Sequence, residues 1–142
     1  MLETIFKEIF YMSETYKEIH WCEIGSAKLF LDKITDDENG LSIFISTDKE
    51  RKLIIKFDCF DSYRNTDESY RLNTINELRG MSDASIFIST NSEYLYWFNC
   101  ESLGIYSKEN LKHYIILTSK NVIDVVALDE PAVTIIQGVL SI

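Results

Sequence analysis

The 142-residue chain is 46% hydrophobic and 26% charged, the composition of a folded globular protein rather than of a disordered one. Its formal net charge of -9 is shared by both halves, with 16 acids and 11 bases over residues 1–82 and 7 acids and 3 bases over 83–142. An acidic surface repels phosphate backbones and is steered towards basic partners, which argues against direct nucleic-acid binding. Three cysteines, Cys22, Cys59 and Cys100, are an odd and sparse set for a secreted disulfide scaffold and are expected to be buried thiols. Glu3, Lys7 and Glu8 interrupt the first apolar residues where a signal peptide needs an unbroken apolar core. No run of about 18 apolar residues is present, so no membrane span is expected. The expectation is a cytoplasmic protein with a single domain over 1–142, since no Pro- or Gly/Ser-rich linker interrupts the chain.

Leu2, Ile5, Phe6, Ile9 and Phe10 recur at helical spacing and predict an N-terminal helix with one buried face. His20 to Ile34 carries one strand or a pair, bent at Gly25-Ser26; its alternation is imperfect, because Leu29 and Leu31 are followed in phase by Lys33 rather than Ile34. Asp36, Asp37, Glu38, Asn39 and Gly40 form an acidic turn, where Asn and Gly tolerate positive φ. A strand over 41–47, a turn over 48–51 and a strand over 52–60 follow. The hexapeptide Ser42-Ile-Phe-Ile-Ser-Thr47 returns letter for letter at Ser85 to Thr90, again followed by a polar turn and an apolar run, Glu93 to Cys100. That run is expected to be a strand over 94–100, so that two similar hairpins frame the middle of the chain. Between them, residues 58–71 are polar and irregular and are expected to form a charged loop. Asn65 or Thr66 then caps a short helix over about 67–79 that ends at Gly80. A third hairpin is predicted from 111–118 and 122–128, and Pro131 confines 132–137 to a sheet edge. Short connections favour antiparallel neighbours. The expected architecture is α+β: a curved antiparallel meander of about 7–8 strands with the N-terminal helix and the short helix against it.

No sequence motif specifies a chemistry. His20 and Cys22 share a strand face, but the paired close ligands of a zinc site are missing. His113 sits at the start of an apolar strand as a strand-end polar residue. The five glycines are scattered and form no phosphate loop. No metal, cofactor or catalytic residue is therefore assigned, and the chain is not expected to be an enzyme. The loop at Asp58, Asp61, Tyr63, Arg64, Asp67, Glu68, Tyr70 and Arg71 leads the candidate partner-binding residues, because Tyr and Arg are enriched at interface hot spots. Its arginines equally suit surface ion pairs with the neighbouring acids. The acidic turn at Asp36, Asp37 and Glu38 is the second candidate surface.

Several segments together resemble the small β-rich immunity proteins of bacterial polymorphic-toxin and contact-dependent growth inhibition systems. They are His20-Trp21-Cys22-Glu23-Ile24, Leu41 to Thr47, Phe57-Asp58-Cys59, Thr66-Asp67-Glu68, and the pattern His113 to Ile116, Val122 to Val126 and Glu130-Pro131. The resemblance covers about half the chain in short pieces. It implies one tight, specific partner, a toxin domain made by the same cell, with no cofactor and no catalysis. Two other readings stay open: a homo-oligomeric assembly protein joined through sheet edges or Tyr94 to Phe98, and a small-ligand or enzymatic domain using a pocket at Asp61, Arg64 and Arg71.

Overall fold

The computed structural model describes residues 15–20 and 27–136. The predicted N-terminal helix, the bend at Gly25-Ser26 and Cys22 lie outside the described residues. In chain order the elements are β1 (Lys17–Glu18), β2 (Leu29–Asp37), β3 (Gly40–Thr47), β4 (Lys52–Phe57), β5 (Ser62–Asp67), a 3-10 turn (Glu68–Tyr70), α1 (Leu72–Met81), β6 (Ile86–Ser89), α2 (Glu93–Glu101), β7 (Lys112–Leu117), β8 (Asn121–Ala127) and β9 (Ala132–Ile136). The strands form two antiparallel sheets, ordered β1-β6-β7-β8-β5 and β2-β3-β4-β9. The class is α+β, as expected. The single curved meander is replaced by a five-stranded and a four-stranded sheet.

The two sheets pack face to face. Leu41, Ile43 and Ile45 of β3 and Leu53, Ile55 and Phe57 of β4 point inward from the four-stranded sheet. They meet Ile86, Tyr114, Ile116, Ile123, Val125 and Ala127 of the five-stranded sheet in one cluster. Each of the fully buried Leu, Ile, Val and Phe side chains contributes about 1.5–3 kcal/mol of burial energy. β1 belongs to the five-stranded sheet and β2 to β4 to the four-stranded one; the chain crosses back at β4–β5 and returns at β8–β9, so each of those connections joins strands that are not neighbours. Short connections serve strands within one sheet and strands of two packed sheets alike, and that is why the strand sequences alone resembled one meander.

The imperfect alternation of β2 has a structural cause. Leu31 pairs with Ile45 and Lys33 with Phe44, which leaves Asp32 as the extra residue of a β-bulge. The bulge shifts the phase by one, so Leu29, Leu31 and Ile34 all face the core. Asp32, turned out, accepts a 2.5 Å hydrogen bond from Ser46 Oγ. Gly40 closes the β2–β3 hairpin at φ 110°, and a Cβ there would lie 2.3 Å from the Phe57 carbonyl oxygen. Only glycine allows the hairpin end to lie against the end of β4.

Both helices lie on the far side of the five-stranded sheet. Leu78 and Ile75 of α1 pack with Phe87, Ile115, Leu117 and Val122. Tyr94 and Leu95 of α2 pack with Leu111 and Val126. The five-stranded sheet is thus covered on both faces, which explains the unbroken apolar runs of β7 and β8. The expected strand over 94–100 is a helix. Ser92 caps it, its Oγ accepting from Leu95 N at 3.3 Å, with Glu93 in the first turn. Tyr94, Leu95 and Phe98 then recur on one helical face. The helix expected over 67–79 begins later, because β5 runs through Asp67 and Asp67 caps the 3-10 turn through Ser69. It also ends later: α1 continues through Gly80 to Met81, and Ser82 closes it with its N–H on the Leu78 carbonyl.

Candidate functional site

The five-stranded sheet holds a buried polar array between itself and its helices. Asp124 lies in β8 between Val122 and Val126 on the helix-covered face and is fully buried. Pairing places Arg64 of β5 directly opposite Asp124, and Arg64 Nε donates to Asp124 Oδ2 at 2.8 Å. Arg71, at the end of the 3-10 turn, bridges both carboxylate oxygens, its Nη1 on Oδ2 and its Nη2 on Oδ1. From β7, His113 Nε2 lies 2.7 Å from Asp124 Oδ1, and its Nδ1 lies 2.6 Å from Ser92 Oγ. Tyr94 stands edge-on to the His113 ring at 5.1 Å, under the Arg64 guanidinium at 4.2 Å. Its hydroxyl is 2.6 Å from Ser62 Oγ.

Electrostatics determine the proton positions. Burial alone would raise the Asp124 carboxyl, but hydrogen bonds from His113 and Arg71 outweigh it and hold the group well below the usual carboxylate range. Burial lowers the His113 imidazole, against the pull of Asp124 and with help from Arg64 and Arg71. The ring is therefore neutral. Asp124 as a carboxylate can only accept, so Nε2 carries the proton and Nδ1 accepts from the Ser92 hydroxyl. Ser92 Oγ in turn accepts from Leu95 N, so the chain of hydrogen bonds runs from the start of α2 into β8.

Serine, histidine and aspartate in series resemble a hydrolytic triad. Access separates the two: Ser92 and Asp124 are fully buried, and His113 is 2% exposed. The Ser92 oxygen is occupied as a helix cap, and the carboxylate is held by two guanidinium groups. What the array does is fasten β5, α1, α2 and β7 onto β8. A buried ion pair of this kind is costly to break from one side.

The candidate residues fall into three places. Arg64 and Arg71 turn inward to Asp124 and do not form surface pairs with Asp58, Asp61, Asp67 or Glu68. The expected charged loop is, from Ser62 to Asp67, an edge strand, and Tyr63 is half-buried against the inter-sheet core. Asp67, Glu68 and Tyr70 lie at the end of the sheets where β5 gives way to α1. Asp67 accepts from Ser69, which holds its carboxyl below its ordinary value, and Tyr70 is 80% exposed. At the opposite end, the β2–β3 turn brings Asp36, Asp37 and Glu38 beside the β4–β5 connection, where Gly40 abuts Asp58. Asp61 N donates to Val126 O at 2.8 Å, so the same end receives the β8–β9 connection with Asp129 and Glu130. There, Lys56, Asp58, Cys59, Asp129, Glu130, Pro131 and Ala132 line a cleft of about 370 Å³.

The acids at that end act on one another and on their neighbours. Burial and then Glu109 raise Asp61. Burial, Glu130 and Asp129 push Tyr114 up to about 12. Lys56 meets Asp58 at 3.7 Å. Asp129 and Glu130 belong to this surface although their sequence context reads only as a strand stop. Asp124 and Ser92 also escaped the candidate residues, but Asp124 carried a signal. A carboxylate inside an otherwise apolar strand has to find buried donors. No such signal marks Ser92 beyond its place before an apolar run.

Among the described residues, no group of three or more His, Cys, Asp or Glu side chains could hold a metal ion. Cys59 and Cys100 are exposed, contrary to the expectation of buried thiols: Cys59 falls in the β4–β5 connection and Cys100 on the outward face of α2. No described helix is long and apolar enough to cross a membrane. Compared with family models, with curated proteins and with solved structures, the chain finds no match in any of the three.

Proposed function

We propose that the protein is an immunity protein, a stoichiometric inhibitor that binds a cationic toxin domain and covers its active surface. The observation that carries this reading is the acidic end of the sandwich. Asp36, Asp37, Glu38, Asp58, Asp61, Asp129 and Glu130 come from three separate connections and share one end of the fold. Concentrated charge on a rigid frame accelerates encounter with a basic partner and sets its orientation. A nuclease toxin is basic because it binds phosphate, so its substrate surface is the one such an inhibitor fits. The resemblance to immunity proteins supports the same class of partner. The buried Ser92–His113–Asp124 array acts as scaffold in this reading, holding the layers in register behind the acidic end.

The test is to co-express the chain with the C-terminal domain of the protein encoded immediately upstream, which this reading expects to be a secreted toxin, and to measure complex formation and toxicity. Wild-type chain should bind at 1:1 and restore growth. The combined variant Asp36→Lys, Asp37→Lys, Glu130→Lys should lower the association rate by about tenfold or more at low salt, with a flatter salt dependence. A chain that leaves that domain fully toxic refutes the proposal.

A further inference from the structure

Charge steers encounter, but a tight interface also needs apolar side chains that are buried on binding. Helix α2 and the loop that follows it have them. On α2, Glu93, Trp97, Cys100 and Glu101 follow helical spacing and are all exposed, while Tyr94 and Leu95 are buried on the other side. Trp97 is 48% exposed and stacks on Tyr94 at 5.6 Å. Immediately after the helix, Leu103 is 87% and Ile105 74% exposed. These two aliphatic side chains stand in water at a cost that burial elsewhere would recover.

The loop that carries them is ordered. Leu103 N bonds Cys100 O at 3.1 Å, Gly104 N bonds Asn99 O at 2.8 Å, and Ile105 N bonds Ser102 O at 3.2 Å. Ser102 Oγ adds a 2.6 Å bond to Phe98 O, and the Tyr106 ring lies 5.8 Å from that of Phe98. Leu103 itself has φ 56°, the left-handed region where glycine is favoured and leucine is rare. Helix termination would be served at least as well by glycine there. A strained, exposed leucine on a fixed loop therefore points to use of its side chain.

The surroundings select the occupant. The connection that carries the loop enters β7 at Lys112, which pairs with Ala127, so its last residues join the sheet at the acidic end. Glu109 lies close enough to Asp61 to raise its carboxyl. Glu93, Glu101, Glu109 and Asp61 thus border the apolar residues, and Lys108 is the single base between Glu93 and Asn110. A second copy of this chain would bring the same acids against them, whereas a cationic protein surface would pair with them. From this we infer that the outward face of α2 and the loop 102–106 form the apolar anchor of the partner interface. Leu103 and Ile105 enter a recess on a cationic protein partner while the acidic end contacts its basic rim. The inference rests on the inhibitor reading and specifies where its binding energy is concentrated. The buried array is what places this anchor, since Ser92 caps α2 and Tyr94 supports Trp97.

The experiment titrates the full chain and its variants into the same upstream-encoded domain by calorimetry, with thermal melts and light scattering of each variant alone. Leu103→Gly removes the side chain and relieves the backbone, so its melting temperature should stay level or rise by about a few degrees. Its Kd should nevertheless weaken on the order of 30-fold. Ile105→Asp should weaken binding at least as much, and Leu72→Asp, an exposed residue of α1, by less than about threefold. Wild-type binding that Leu103→Gly and Ile105→Asp leave intact overturns the anchor while the inhibitor reading stands. A wild-type chain that does not bind the domain overturns both. A dimer that Ile105→Asp dissociates overturns the cationic partner and assigns the surface to self-association.

Discussion

The same six residues occur twice and end in different environments. Ser42 to Thr47 lies in the four-stranded sheet, and Ser85 to Thr90 spans β6 of the five-stranded one. In both copies the isoleucines face the inter-sheet core: Ile43 and Ile45 from one side, Ile86 and Ile88 from the other. The remaining side chains part company. Phe44 lies half-buried on the outer face of its sheet, with Lys33 Nζ 4.5 Å from its ring centre. Phe87 is 0% exposed beneath the helices. Ser46 bonds Asp32 at the surface, whereas Ser89 is buried and bonds Asn91. The hexapeptide specifies a strand and its inward isoleucines. What covers its other face is decided by the residues that follow, Asp48 to Arg51 turning back into β4 and Asn91-Ser92 starting a helix over the sheet.

Mutation tests that contrast in measurable terms. The largest effect is expected from Asp124→Asn, which leaves the Arg71 guanidinium buried without its counter-charge. Stability should fall by about 4 kcal/mol in a denaturant titration. A loss under about 1 kcal/mol would mean that the covered sheet does not depend on its ion pairs. Next comes the paired test on the repeat. Phe87→Ala should cost about 3 kcal/mol or more, and Phe44→Ala no more than about 1 kcal/mol. Equal losses would erase the distinction between the two copies.

The smallest effect is pH-dependent. Unfolded, the His113 ring takes up a proton near its ordinary value of 6.5; folded, burial keeps it neutral to lower pH. The folded pKa is depressed, so this contribution is complete above about pH 6.5 and is lost as pH falls towards the folded value. The melting temperature should therefore decline below about pH 6.5. His113→Gln, which cannot titrate, should reduce that decline. An unchanged slope in the variant would show that His113 is not its source.

Much of the fold could be read in advance because it depends on local pattern. Strands β3, β4, β7, β8 and β9 lie within about two or three residues of their expected spans, through alternation in one sheet and continuous apolar runs in the other. Two elements were hidden for opposite reasons. Strand β5 reads as a loop because Ser62 to Asp67 is polar, and its partner, Asp124 for Arg64, lies far along the chain. Helix α2 reads as a strand because aromatics favour strands, while a single serine cap and the cover of a sheet decide for the helix. The candidate surface divided likewise. The acids of the β2–β3 and β4–β5 connections could be named from sequence, but that they converge with Asp129 and Glu130 is a property of the topology. The exposed Leu103 looks like any leucine until its φ is known.

The pairing of β4 with β9, from Lys52 with Ile136 to Lys56 with Ala132, has a consequence during synthesis. Strands β2, β3 and β4 leave the ribosome as a nearly complete meander with an unpaired edge, and the strand that protects this edge is made only after the whole second sheet. Throughout that interval β4 presents open backbone groups that another nascent chain could pair with. Pairings between strands so distant along the chain also close slowly. Protection against this hazard is already present in β4 itself: Lys52 and Lys56, both outward-facing, place charge on the waiting edge. The strand thus carries its own safeguard against aggregation until β9 arrives.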